Sequence, residues 1–266
     1  QVSVMLLAID IGNTNIVIGG IKNDKILFEG RIATDHIKTS DQYGVEIKNI
    51  LSLFEVKPKD IDDCIISSVV PPVFNSVRTG IVKLTGREPM VVGPGIKTGL
   101  NIQMDTPSQV GSDRIVIAVA ALAEFQPPLT LLDLGTATTI EVVGKGSTYL
   151  GGCIIPGVRV SLEALTSRTA QLPGIRLDKP KRVIGKNPID CMRSGIMFGT
   201  AAMIDGMLDR VEEELGYQTT VVATGGMAQF VVPLCRRKIQ VDRDLLLKGL
   251  NIIYKKNATE QKHMEK

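Results

Sequence analysis

The chain has 266 residues, enough for two domains of roughly 100–150 residues, each with its own core. Hydrophobic residues make up 44% of it, which excludes an intrinsically disordered protein. Its 31 Lys and Arg against 28 Asp and Glu leave a net charge of +3, and with no long basic block nucleic acid is not the expected partner.

The longest apolar run, Ile115 to Ala123, is too short to span a bilayer, so no membrane association is expected. No charged, apolar and cleavage-site series marks a secretory signal. Cys64, Cys153, Cys191 and Cys235 are widely spaced without a C-x-x-C, and the only histidines are His36 and His263. Neither a zinc site nor a disulfide framework is expected, and a cytoplasmic protein with reduced thiols is.

In chain order, Met5 to Ile9 is an apolar strand ending in Asp10. Asn15 to Gly20 and Lys25 to Arg31 read as two further strands joined by a polar turn at Asn23-Asp24. Gln42 to Phe54 has helical spacing of apolar residues. Asp63 to Val70 reads as a buried strand closed by Pro71-Pro72, Asn75 to Leu84 as a helix and Met90 to Val92 as a short strand. Gly93 to Gln109 reads as loop, and Val110 to Phe125 as a long apolar helix ending before Pro127-Pro128.

The second half starts the same series again. Leu7-Ala8-Ile9-Asp10-Ile11-Gly12-Asn13-Thr14-Asn15 matches Thr130-Leu131-Leu132-Asp133-Leu134-Gly135-Thr136-Ala137-Thr138 at a shift of 133 − 10 = 123 residues. The same shift carries the turn at Lys22 to Lys25 onto Lys145 to Thr148. Gly151 to Gly157 then reads as a glycine-rich turn and Val158 to Leu165 as a helix. Gln171 to Pro188 is irregular and basic. Cys191 to Leu215 is a long helix, Thr219 to Ala223 a strand ending in Thr224-Gly225-Gly226, and Leu245 to Tyr254 a last helix. Strands alternating with helices in both halves predict an α/β protein.

The repeated turn is where the chemistry points. Glycine at Gly12 lets backbone amides approach an anion, and Asn13, Thr14 and Asn15 add short donors, a nest suited to polyphosphate. Asp10 at the strand end can hold hydrated Mg²⁺. A strand–turn–strand hairpin without ligand has the same local pattern, but a close copy in register favours two turns facing one nucleotide. Asp133 to Thr138 offers hydroxyls in place of amides. Thr224-Gly225-Gly226 follows a buried strand, where backbone can approach a base or ribose. Gly111-Ser112-Asp113-Arg114 opens the long apolar helix. Asp113 there is either a carboxylate stabilised by the helix N-terminus or a general base, with Arg114 a clamp for a substrate carboxylate, and spacing does not decide between them.

Taken in order, D-I-G-N-T-N, G-S-D-R, D-L-G-T-A-T, G-G-C-I-I-P-G and T-G-G resemble type III pantothenate kinase, from about Met5 to about Tyr254. The resemblance implies the actin-like ATPase and sugar kinase superfamily, with two ribonuclease H-like domains, expected at residues 5–114 and 115–256. It implies ATP-dependent phosphorylation of pantothenate, the first step toward coenzyme A. It implies Asp10, Ile11, Gly12, Asn13, Thr14, Asn15, Ile16 and Val17 at the ATP phosphates, with Thr136 also on ATP and Thr224, Gly225 and Gly226 toward adenosine. Asp113 becomes the base, with Gly111, Ser112 and Arg114 beside it at pantothenate. Asp10 lies near Mg²⁺, and Asp133 matches a ligand of K⁺ or NH₄⁺. A homodimer whose pocket draws on both subunits is implied as well.

Two positions depart from the family pattern: Met104 stands where tyrosine is usual, and Pro188 where threonine follows Gly-Lys-Asn. Both family positions line the pantothenate pocket, so altered substrate contacts are expected. The alternatives are a kinase of another small hydroxyl substrate and a non-catalytic regulator on the same scaffold. The intact Asp10 turn and Asp113 speak against the regulator. No G-x-G-x-x-G follows the first strand, which disfavours a nicotinamide enzyme, and no P-loop occurs.

Overall fold

The computed structural model describes residues 4–169 and 172–264. In chain order its elements are β1 (Met5–Ile11), β2 (Asn15–Lys22), β3 (Lys25–Ala33), α1 (Ser40–Leu53), β4 (Asp63–Ser68), α2 (Pro71–Thr85), β5 (Met90–Val91), β6 (Asn101–Ile102) and α3 (Ser112–Glu124). They continue with β7 (Leu129–Leu134), β8 (Ala137–Val143), β9 (Thr148–Pro156), α4 (Val158–Ser167), α5 (Pro188–Leu215), β10 (Thr220–Thr224), α6 (Ala228–Val231), β11 (Gln240–Val241) and α7 (Leu245–Met264). Among the described residues no helix is long and apolar enough to cross a membrane.

The chain divides into two compact units. One comprises Gln1–Leu100, Asp105–Ala123 and Asp244–Lys266, the other Asn101–Met104 and Glu124–Arg243. This grouping differs from the expected division after residue 114. The reason lies in where α3 and α7 bury their apolar sides. Val116 and Val119 of α3, with Leu247, Leu250 and Ile253 of α7, share a core with Leu6, Ala8 and Ile65 of the first sheet.

In the first unit the strand order is β3-β2-β1-β4-β5. β1, β2 and β3 pair antiparallel, while β4 runs parallel to β1 and β5 parallel to β4. All seven residues of β1 are buried, because helices cover both faces of its sheet. Leu7, Ile9 and Ile11 pack with Tyr43, Ile47 and Leu51 of α1 and Val73, Val77 and Ile81 of α2. Leu6 and Ala8 point the other way, toward α3 and α7.

The second unit repeats this plan. Its sheet runs β11-β10-β7-β8-β9-β6, so β9-β8-β7-β10-β11 reproduces β3-β2-β1-β4-β5. The shift of 123 holds at both ends of β3: 25 + 123 = 148 and 33 + 123 = 156 carry Lys25–Ala33 onto Thr148–Pro156 of β9. β6 is an addition, a parallel two-residue edge strand on β9. Leu132 and Leu134 of β7 and Ile140 of β8 meet Val158 of α4 and Met197, Ala201, Ile204 and Leu208 of α5.

Four expectations need correction. Pro71-Pro72 does not merely close β4, since α2 begins at Pro71, where the missing N–H has no intrahelical partner to lose. Gly151 to Gly157 is not a turn. Most of it is strand β9, where Gly152 lies so close to the Ile140 carbonyl that a side chain would collide. The last helix does not end near Tyr254 but continues to Met264. Of the expected irregular segment, Gln171 lies outside the described residues, while Pro188 is already the first residue of α5.

Candidate active site

In the first unit, Asp10 is the penultimate residue of β1 and only 6% exposed. Strand alternation puts it on the face of Leu6 and Ala8, the face that α3 covers. Its neighbour across the parallel ladder is Ser67 of β4, whose hydroxyl, fully buried, donates to Asp10 Oδ1. A buried carboxylate needs such partners, because leaving one unsolvated and unbonded is costly.

The turn after Asp10 is tight. The Gly12 N–H donates to the Asn15 carbonyl (3.0 Å), and a Cβ on Gly12 would sit 3.0 Å from the same oxygen. Thr34 Oγ1 donates to the Gly12 carbonyl at 2.7 Å, and the Thr34 N–H to the Thr14 carbonyl at 3.0 Å. The Gly12 amide thus serves the turn itself, and Asn13, Thr14 and Asn15 are its exposed part. Ile11 and Ile16 are fully buried with side chains in the core, so only their backbones can face a ligand. Val17 is partly buried against the opposite core.

One residue beyond Ser67, Ser68 connects this turn to the start of α3. The Ser68 N–H donates to Ser112 Oγ (3.2 Å), and Ser112 Oγ donates to the Ser68 carbonyl (3.1 Å). Asp113 follows in the first helical turn, its Oδ1 accepting from the Arg114 N–H at 2.8 Å. A Cβ on Gly111 would lie 2.6 Å from that Asp113 oxygen, so a side chain there would push the carboxylate from this position. The Asp10 turn and the segment Gly111 to Arg114 are therefore neighbours, joined through β4. Sequence reading missed Ser67 and Ser68; two hydroxyls ending an apolar strand were the signal available.

In the second unit, Asp133 occupies the penultimate place in β7 and pairs in register with Thr224 of β10. Gly225, with φ of 91°, lies so close to Asp133 Oδ1 and the Leu134 backbone that a Cβ would collide with both. Thr136 is exposed in the β7–β8 turn, which the Gly135 N–H closes onto the Ala137 carbonyl at 3.0 Å. Gly157 lies against the Thr136 and Gly135 carbonyls, too close for a side chain. Asp133, Thr136 and Thr224 to Gly226 are thus assembled at one end of this sheet.

Met104 follows β6, and its thioether sulfur would be 2.9 Å from a Cβ on Gly151. Pro188 is the N1 residue of α5, behind Asn187, whose side chain caps the helix by accepting from the Asp190 N–H at 2.9 Å. Its missing N–H therefore costs the helix nothing.

Among the described residues no group of three or more His, Cys, Asp and Glu could hold a metal ion. The Asp10 carboxylate beside the Ser67 hydroxyl offers oxygen only, a donor set that suits Mg²⁺ completed by water and phosphate oxygens. Asp133 likewise offers carboxylate oxygen, a donor that suits a monovalent cation, and Gly225 packs against it so closely that no side chain fits between them.

The two like sheets and the placement of their aspartates define a class, the actin-like ATPase and sugar kinase fold. Component A of (R)-2-hydroxyglutaryl-CoA dehydratase from Acidaminococcus fermentans superposes with a TM-score of 0.57 at 17% identity, covering 96% of this chain and 99% of that one. ROK hexokinase from Thermus thermophilus gives 0.53 at 13% identity, with 96% and 99% covered. Within this class the chain belongs to the type III pantothenate kinase family, whose profile matches residues 6–210. A type III pantothenate kinase from Exiguobacterium sibiricum is 45% identical over 253 residues, 95% of this chain and 100% of the relative.

Proposed function

We propose that this chain transfers the γ-phosphoryl group of ATP to the 4′-hydroxyl of pantothenate, giving ADP and 4′-phosphopantothenate, the first step of coenzyme A synthesis. The observation that carries the residue roles is the connection in the first unit from Asp10 through Ser67 and Ser68 to Ser112 and Asp113. It puts a metal-competent carboxylate and a carboxylate at a helix start on one scaffold. Family membership supplies the substrate.

In this reading Asp113 accepts the proton of the attacking hydroxyl as its oxygen bonds to the γ-phosphorus and the bond to the β–γ bridging oxygen breaks. Arg114 pairs with the pantothenate carboxylate, with Gly111 and Ser112 shaping the same pocket. Asn13, Thr14, Asn15 and the local backbone from Asp10 to Val17 meet the phosphates, joined by Thr136. The backbone of Thr224, Gly225 and Gly226 meets the adenosine. Asp10 would hold Mg²⁺ and Asp133 K⁺ or NH₄⁺, and ions bound there would offset the phosphate charge.

Met104 and Pro188 take the places of two hydroxyl-bearing residues at pantothenate, so the substrate loses hydrogen bonds while apolar contact remains. Met104→Tyr and Pro188→Thr are expected to lower the KM for pantothenate; an unchanged KM in both would count against altered contacts. The enzyme works as a homodimer in the cytoplasm. Support for a second copy comes from family membership, and Ile154 (68% exposed) and Ile184 (79% exposed) are apolar residues a partner could cover.

The test is phosphorylation of pantothenate by ATP in potassium or sodium, with wild type and Asp113→Asn. Potassium-dependent turnover that collapses at least about a hundredfold in the variant is the expected result. ATP binding without pantothenate turnover would redirect the search to other hydroxyl acceptors.

A further inference from the structure

Four residues of the long connection between β5 and α3, Asn101–Met104, group with the second unit, whereas both flanks group with the first. What holds them is a short list. β6 contributes two ladder positions, Asn101 opposite Thr148 and Ile102 opposite Tyr149. The Gln103 N–H donates to the Tyr149 carbonyl at 2.9 Å. Met104 then rests on Gly151, a strand residue at φ of 120°.

Tyr149 is the centre of this attachment. Its ring is fully buried, and its hydroxyl donates to Glu141, a carboxylate only 2% exposed on the neighbouring strand β8. A two-residue edge strand has little cohesion of its own. A side chain locked by a buried hydrogen bond fixes the backbone to which that strand is bonded. The assigned chemistry at Asp10, Asp113 and Asp133 uses neither Glu141 nor Tyr149.

We infer that Tyr149, held by Glu141, is a positioning residue for pantothenate: it fixes the segment Asn101–Met104 on β9 and so sets where Met104 meets the substrate. The inference rests on the proposed place of Met104 at the pantothenate pocket. Removing the Tyr149 hydroxyl leaves the ring packed but frees the segment, so pantothenate affinity falls while ATP affinity does not.

The experiment has two readouts on Tyr149→Phe, hydrogen exchange of the peptide covering residues 101–106 and steady-state kinetics with each substrate varied in turn. Faster exchange, with the KM for pantothenate raised about fivefold or more and the KM for ATP unchanged, is the expected result. Unchanged exchange overturns the positioning role. Faster exchange with an unchanged pantothenate KM overturns the placement of Met104 at the pocket instead. Should Tyr149→Phe not fold, Glu141→Leu removes the acceptor and leaves the ring in place, giving the same two readouts. Glu141→Gln, which keeps an acceptor oxygen, is expected to recover most of what Glu141→Leu loses; equal losses in both overturn the hydrogen bond as the cause.

Discussion

The Ser67 hydroxyl orients Asp10 from within the sheet, where no ligand can reach it. Partners one step removed from a metal ligand are commonly worth 10–100-fold in affinity or activity. Ser67→Ala is therefore expected to lower kcat by about tenfold and to raise the Mg²⁺ concentration needed for half-maximal rate, read from a magnesium titration. A rate and magnesium requirement equal to wild type would remove Ser67 from the site. Gly225 faces a harder limit. Alanine there meets the Asp133 carboxylate and takes on a backbone strain of roughly 1–2 kcal/mol at φ of 91°. If Asp133 holds potassium as proposed, Gly225→Ala is expected to lose potassium activation, measured as the ratio of rates in potassium and sodium. The cysteines separate by environment. Burial pushes the Cys64 thiol up to about 12, and the Cys235 thiol likewise to about 12, from an ordinary 9.0, whereas Cys191 is exposed. At pH 8 alkylation mapped by mass spectrometry is expected to mark Cys191 first. Because the folded values lie above the unfolded ones, the two buried thiols favour the folded state below pH 9, and this contribution is lost as pH rises from about 9 to about 12. A melting temperature that rises over that window would contradict the assignment.

At the scale of elements, the Asp-x-Gly pattern and the shift of 123 residues were legible because both copies write the same strand, turn and strand in the same residue types. Boundaries were less so. A proline pair reads as a stop, yet a proline at N1 is also a start, and only the α2 core residues Val73, Val77 and Ile81 resolve which applies. Glycines 151 and 152 read as a turn because glycine is the usual turn residue. Here they answer a carbonyl on β8 and a methionine from a distant stretch of chain, neither of which local sequence announces. The candidate site followed the same rule. Asp10, Asp113 and Asp133 stood out by spacing, whereas Ser67 matters only because β4 lies beside β1 in register. Helix starts were stated more openly. Thr39 and Gln42 form a reciprocal cap on α1, with the Gln42 N–H donating to Thr39 Oγ1 and the Thr39 N–H to Gln42 Oε1. Thr39→Ala is expected to cost about 1 kcal/mol in denaturant unfolding and to leave kinetics alone. A loss below about 0.3 kcal/mol would make the cap incidental to stability.

For the whole molecule, the proposed second copy is tested at its surface. Charge placed on the exposed apolar residues of the second unit should disrupt association without touching the core. Ile154→Asp combined with Ile184→Asp is expected to convert a dimer to a monomer in analytical ultracentrifugation, with a rise in the KM for pantothenate if the pocket draws on both subunits. A dimer that persists would move the interface elsewhere.

The return of α7 to the first sheet has a consequence for synthesis. Leu6 and Ala8 leave the ribosome before the second unit is made, yet Leu247, Leu250 and Ile253, which help cover them, emerge after it. That face of the first sheet has only α3 over it until α7 is made, while the second unit, continuous from Glu124 to Arg243 apart from four residues, can close earlier. The order of emergence and the order of completion are therefore reversed: the half made first is finished last, and a nascent chain arrested before residue 245 carries a sticky face that invites chaperones.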